Sequence, residues 1–195
     1  GDQVKLAERA IREALLDTNA VIDQLVLGRL APRDAKILLL GHSRGGGIAL
    51  LGAADVPDLR AVIAWSPISR CDNWDAATRR DWQERGVTEA VNQRTKQIMR
   101  ISRDVMDDFE ANRERLDIEK AAAALRVPLL VIHGARDESV PLASGRLLAE
   151  RAKDASMVVI GGAGHTFNAI HPLVHVPFEL ELAAEASAHF AMTHL

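Results

Sequence analysis

An α/β fold with a mostly parallel sheet, about four strands flanked by helices, is the architecture this sequence predicts. Short continuous apolar runs end abruptly at glycine or at Ser-Pro, the pattern of strands buried on both faces. Between these runs lie longer segments whose apolar residues recur at helical spacing. Strands alternating with helices imply parallel pairing through crossover connections.

Residues 3–27 come first, with Leu6, Ala10, Ile11, Ala14, Leu15, Ile22, Leu25 and Val26 forming one face of an amphipathic helix. Gly28 is its stop, and Pro32 lies beyond. The run Lys36-Ile37-Leu38-Leu39-Leu40 reads as a buried strand halted at Gly41. Gly45 to Ala54 is small and apolar, suited to a helix packed closely on a sheet. Arg60 to Trp65 is a second buried strand, stopped by Ser66-Pro67. Residues 71–120 are densely charged, with Trp74, Trp82, Val87, Val91, Ile98, Met99, Ile101, Val105, Met106 and Phe109 at roughly helical intervals. They predict two or three amphipathic helices inserted between strands, as a connection or as a lid over a site. Strand patterns return at 127–132 and 156–160, with helical patterns at 143–153 and 177–192. The reading is one domain over 1–195 with a helical insertion at 71–120.

Apolar residues make up 48% of the chain and charged residues 26%, the balance of an ordinary globular protein. A formal net charge of −3 lacks the basic surface that nucleic-acid binding requires. His42, His133, His165, His171, His175, His189 and His194 are spread apart, so no metal site is expected. With Cys71 alone there is no internal disulfide. No apolar run approaches the roughly 20 residues that span a bilayer. The N-terminus has no signal-peptide core. The expected protein is water-soluble and cytoplasmic, without a membrane or nucleic-acid partner.

The residues that carry chemistry begin with Gly41-His42-Ser43-Arg44-Gly45. A serine on a sharp strand-to-helix turn presents its hydroxyl in a strained conformation, and the flanking glycines let strand and helix approach. A phosphate loop would need Gly-Lys-Ser/Thr, which is absent. A serine hydroxyl also needs a base, and the base an orienting carboxylate. Asp137 follows the strand at 127–132, and His165 follows the strand at 156–160 within Gly161-Gly162-Ala163-Gly164-His165-Thr166-Phe167. Both stand just past strand ends, where open α/β sheets place their sites. Asp72, Asp75 and Glu138 are the competing carboxylates. His42 is expected to pack with its ring away from the nucleophile, and His133 to be structural. His171 and His175 could line a pocket. Cys71 has no evident base and is not expected to be a nucleophile.

At these residues the chain resembles the α/β-hydrolase superfamily, and more narrowly its dienelactone hydrolase and prolyl-oligopeptidase-like branch. The matching motifs are Gly-His-Ser-Arg-Gly-Gly around Ser43, His-Gly-x-x-Asp-x-x-Val-Pro around Asp137 and Gly-x-Gly-His-Thr-Phe around His165. The resemblance implies a Ser43–His165–Asp137 triad and an acyl-enzyme mechanism without metal or organic cofactor. It also implies that the backbone N–H of Arg44 is one oxyanion donor. Family members usually carry three or four strands before the nucleophile strand, where one helix stands here. The second oxyanion donor normally comes from that region. The chain is therefore expected to lack N-terminal strands, and the strand at 36–40 to be an apolar edge open to self-association.

The function these features predict is hydrolysis of a small ester, lactone or amide through an acyl-enzyme on Ser43. A peptidase or an acyltransferase would use the same residues. A non-catalytic module on the same fold, or an inactive fragment, is the alternative from another class. Trp74 and Trp82 of the insertion are candidate substrate-binding residues.

Overall fold

The computed structural model describes residues 11–91 and 96–195. The first ten residues of the chain, where the predicted N-terminal helix begins, lie outside this range. Helix α1, Ile11–Val26, carries the rest of it. Gly28 adopts φ 70°, a left-handed conformation that a side chain would resist, and ends the helix as its sequence position suggested.

Strand β1, Ile37–His42, leads directly into helix α2, Arg44–Gly52. Strand β2, Leu59–Trp65, β5, Leu129–Gly134, and β6, Ala155–Ile160, complete the main sheet. The order is β1-β2-β5-β6 and every pairing is parallel. Helix α5, Ile118–Ala124, precedes β5, and α6, Leu142–Arg151, joins β5 to β6. Helix α7, Phe178–His194, ends the chain.

Because strand side chains alternate, each strand feeds two cores. Val62, Ala64, Leu129 and Val131 face Leu15 and Ile22 of α1, Leu50 of α2, Ile118 and Ala122 of α5 and Leu148 of α6. Ile63, Leu130 and Ile132 point the other way, toward Phe167 and Ala183 of α7. Full burial of side chains such as Leu50 and Leu148 stabilises the fold by about 1.5–3 kcal/mol each. The sheet is all parallel, so its C-terminal strand ends lie along one edge. Ser43, Ser66, Asp137 and His165 all follow those ends, which is how residues far apart in sequence come to share one place.

Strand β1 is not buried on both faces, contrary to its apolar run. It pairs with β2 alone among the described residues, and Leu40 is 50% exposed. An apolar strand is buried only as far as its neighbours cover it, and a run of leucines does not record which neighbours are present.

The insertion between β2 and β5 also departs from expectation. It opens with helix α3, Ala76–Arg85, whose N-cap Asp75 accepts from the Thr78 N–H at 2.7 Å. Gly86, at φ 69°, then ends α3. In place of a second helix comes a hairpin of β3, Val87–Val91, and β4, Ile98–Ser102, paired antiparallel with Glu89 opposite Arg100. Helix α4, Asp104–Ala111, follows. Val87, Thr88, Val91, Ile98 and Ile101 are β-branched and favour a pleated strand. Val87 and Val91, four apart, share a face in a strand as in a helix, while Ile98 and Ile101, three apart, share one only in a helix, so periodicity alone favoured the wrong element.

Candidate active site

The turn from β1 into α2 places Ser43 at φ 57° and ψ −119°, a conformation that costs a non-glycine residue about 1–3 kcal/mol. Packing holds it there. The Ser43 N–H donates to the Trp65 carbonyl at 2.8 Å, and the Ser43 carbonyl accepts from the Ile68 N–H at 3.2 Å. A Cβ on Gly41 would lie 2.1 Å from the Gly45 carbonyl oxygen, so strand and helix approach at a distance only glycine allows. Gly45 itself has open space where a Cβ would project, whereas Gly46 and Gly47 are pressed against Pro67 and Ile118. The requirement for small residues after the serine therefore falls on Gly46 and Gly47. Arg44 begins α2, where its N–H has no carbonyl one turn back to bond within the helix.

The Ser43 hydroxyl lies 3.0 Å from His165 Nε2, and His165 Nδ1 lies 2.8 Å from Asp137 Oδ2. The carboxylate can only accept, so Nδ1 carries the proton and Nε2 is free to receive one from Ser43. Asp137 is fixed from its other oxygen: Oδ1 accepts the backbone N–H groups of Ser139 at 2.9 Å and Val140 at 2.8 Å. Its side chain is 0% exposed and that of His165 is 21% exposed. Burial opposes the charge on Asp137. The Val140 N–H, His165, Ser66 and the Ser139 N–H outweigh burial and hold the carboxyl below its ordinary range. Hydroxyl, imidazole and carboxylate thus form a continuous hydrogen-bonded relay that runs from half-buried Ser43 to the buried Asp137 carboxylate.

A model of the alpha/beta hydrolase family matches residues 7–176. The chain belongs to the alpha/beta hydrolase family. Among relatives, it is 30% identical over 129 residues to a 2,6-dihydropseudooxynicotine hydrolase of Paenarthrobacter nicotinovorans, covering 64% of this chain and 30% of that protein. The match thus spans under a third of that relative's length. It is 28% identical over 180 residues to a pimeloyl-[acyl-carrier protein] methyl ester esterase of Xanthomonas campestris, covering 76% of this chain and 71% of that one. Its fold is shared with Est1E of Butyrivibrio proteoclasticus in a structure with ferulic acid bound. That likeness has a TM-score of 0.69 at 22% identity and covers 97% of this chain and 71% of that one. Mouse alpha/beta hydrolase domain-containing protein 10 superposes with a TM-score of 0.71 at 17% identity, over 96% of this chain and 72% of that one.

Other candidates from the sequence take different places in this alpha/beta hydrolase. Asp72 pairs with Arg70 at 3.0 Å, Asp75 caps α3, and Glu138 is exposed. Burial pushes the Cys71 thiol up to about 12, and its S–H faces the Leu116 carbonyl at 3.3 Å, so it is no nucleophile near neutral pH. His171 and His175 lie on an exposed segment. His133 is fully buried, with Nε2–H donating to the Val140 carbonyl at 3.0 Å and Asp137 Oδ2 3.4 Å away. Trp82 is 1% exposed and its indole N–H donates to the Ile101 carbonyl at 3.0 Å. It meets Trp74 edge-on at 5.0 Å, and Trp74 meets Phe109 at 5.5 Å. These aromatic rings form the core of the insertion, and Trp82 presents no face to a ligand. His42 was expected only to pack. Instead its Nε2 lies 2.8 Å from the His165 backbone carbonyl. No helix among the described residues is long and apolar enough to cross a membrane.

Proposed function

We propose that this chain is a serine hydrolase of small carboxylic esters, lactones or amides, with Ser43, His165 and Asp137 as its triad. The observation that carries the reading is the relay of 3.0 and 2.8 Å standing on a strained turn at the C-terminal edge of the sheet. His165 takes the Ser43 proton as the oxygen attacks the carbonyl carbon, and the imidazolium formed is stabilised by Asp137. The Arg44 N–H supports the developing oxyanion. Collapse expels the alcohol or amine with the proton from His165, leaving an acyl group on Ser43. Water, activated by the same imidazole, releases the acid and restores the serine. No step draws on a metal or organic cofactor.

The methyl ester esterase relative supports ester cleavage, and the three motifs support the dienelactone hydrolase and prolyl-oligopeptidase-like branch. The insertion at 71–120 follows the end of β2 on the site's edge of the sheet, which suits it to a lid. With p-nitrophenyl esters of graded acyl length, the acyl-enzyme reading expects a burst of nitrophenolate, one equivalent per enzyme, before steady turnover. A folded sample with neither burst nor turnover on any ester or aminoacyl amide would favour the alternative, a non-catalytic module.

The free side of β1 is the proposed route of self-association. Among the described residues β1 is paired on one side only, and half-exposed Leu40 on that apolar edge invites another strand. In sedimentation, mass is expected to rise with protein concentration, and Leu40→Lys should hold the chain as a monomer. A wild-type chain monomeric at all concentrations would contradict this.

A further inference from the structure

His42 touches the backbone of the residue that serves as base in the Ser43–His165–Asp137 reading, and the role argued for it rests on that reading. The His165 carbonyl can only accept, so His42 Nε2 carries the hydrogen of that 2.8 Å bond. Among the described residues no backbone N–H donates to this carbonyl. The loop that bears His165 meets the turn after β5 through Asp137 and through the Arg136 N–H, which donates to the Ala163 carbonyl at 2.9 Å. Its remaining bonds are internal: Phe167 N–H to the Gly164 carbonyl, Gly164 N–H to Asn168 Oδ1, and Thr166 Oγ1 to the Ala169 carbonyl. Phe167 and Asn168 follow at φ 52° and 63°, so relaxed backbone geometry does not set its path. Two further contacts fasten it to the ends of β1 and β2. Phe167 is buried against Trp65 with ring centres 5.3 Å apart, and His42 reaches the carbonyl of the base.

His42 is the last residue of β1 and Ser43 is the next residue. One dipeptide at a strand end therefore holds the nucleophile and, through a side chain, the backbone of its base. We infer that His42 is a positioning residue that sets the Ser43–His165 distance by anchoring the His165 carbonyl to β1. The ring stands 4.7 Å from that of His165, close enough that a charge on it would oppose the imidazolium formed in the reaction. Burial, above all, favours its neutral form. The hydrogen bond to His165 and the charge of Asp137 pull the other way, and His165 and His133 add to burial. The net direction is down, toward the neutral donor this role requires.

The test separates the N–H from the bulk of the ring. Gln places an N–H donor near the position of His Nε2, while Leu fills space without one. Misplacing reacting groups by about 1 Å costs on the order of 10²-fold in rate. His42→Leu is expected to lower kcat on a p-nitrophenyl ester by about 10–100-fold with KM within about twofold, and His42→Gln to restore kcat to within about threefold of wild type. If His42→Leu does not fold, His42→Asn, whose shorter amide falls short of the carbonyl, takes its place against Gln. Equal kcat for the Gln and Leu (or Asn) proteins overturns the inference, as does a loss confined to KM. Ser43→Ala, run in parallel, keeps the two readings apart. If it retains turnover, the triad reading fails. If it abolishes turnover while His42→Leu matches wild type, only the positioning role fails.

Discussion

Ser43→Ala is expected to lower ester turnover by on the order of 10⁶-fold while leaving the fold intact. Removing the hydroxyl deletes the nucleophile, but alanine at this position keeps the same backbone, the N–H bond to Trp65 and the carbonyl bond to Ile68. The strain at φ 57° is borne by those bonds and by the close approach of Gly41 to Gly45, not by the hydroxyl. Thermal denaturation should therefore show a melting temperature close to that of wild type. His165→Ala should cost about as much as Ser43→Ala, and the double variant scarcely more than either, because the groups act as a unit. Additive losses in the double variant would show that the two act in separate steps. Steady-state turnover of the three proteins on one ester decides the matter.

Asp137→Asn is the second large effect, a loss of about 10⁴-fold in kcat. Its cause lies in the two oxygens of Asp137. Oδ1 accepts the Ser139 and Val140 N–H groups and so fixes the turn after β5. In the Asn variant the amide oxygen must keep those bonds, which turns the NH2 toward His165 Nδ1. That NH2 can only donate, so Nδ1 loses its proton and Nε2 gains one. The imidazole then presents N–H to Ser43 and cannot serve as its base. Asp137→Ala would free the turn as well, so Asn is the cleaner change. The stability profile supplies an independent check. The folded carboxyl of Asp137 is held below its unfolded value of 3.8. The native state therefore binds fewer protons than the unfolded chain in that range, and stability is present above about pH 4 and lost as pH falls through the lower folded value. Urea midpoints measured down the acid range should fall less steeply for Asp137→Asn than for wild type. Parallel slopes would mean that the bonds to Asp137 are not linked to folding.

What the sequence disclosed and what it hid follow from the range of the interactions. The parallel sheet was legible because each strand is a local apolar run and each helix a local periodicity. Ser43, Asp137 and His165 were legible because each stands in a short motif just past a strand end, and parallel strands bring those ends together. The antiparallel pair of β3 and β4 was hidden because Val87 and Val91 fit a strand or a helix alike and Ile98 and Ile101 are spaced as in a helix. Trp82 was misread because a tryptophan among charged residues looks the same in sequence whether it faces a ligand or a core. His42 was hidden for a third reason. Its partner is a backbone carbonyl 123 residues away, and no local pattern encodes such a bond. The exposure of Leu40 depended on what lies beside β1, a property the strand's own residues do not carry.

Labelling with a fluorophosphonate, followed by peptide mapping, addresses the nucleophile most directly. The proposed mechanism requires one phosphonyl group per folded chain, attached to Ser43, with labelling slowed in Asp137→Asn and absent in Ser43→Ala. A folded chain that takes up no label, or takes it up equally after Ser43→Ala, would contradict the assignment of Ser43 as the nucleophile.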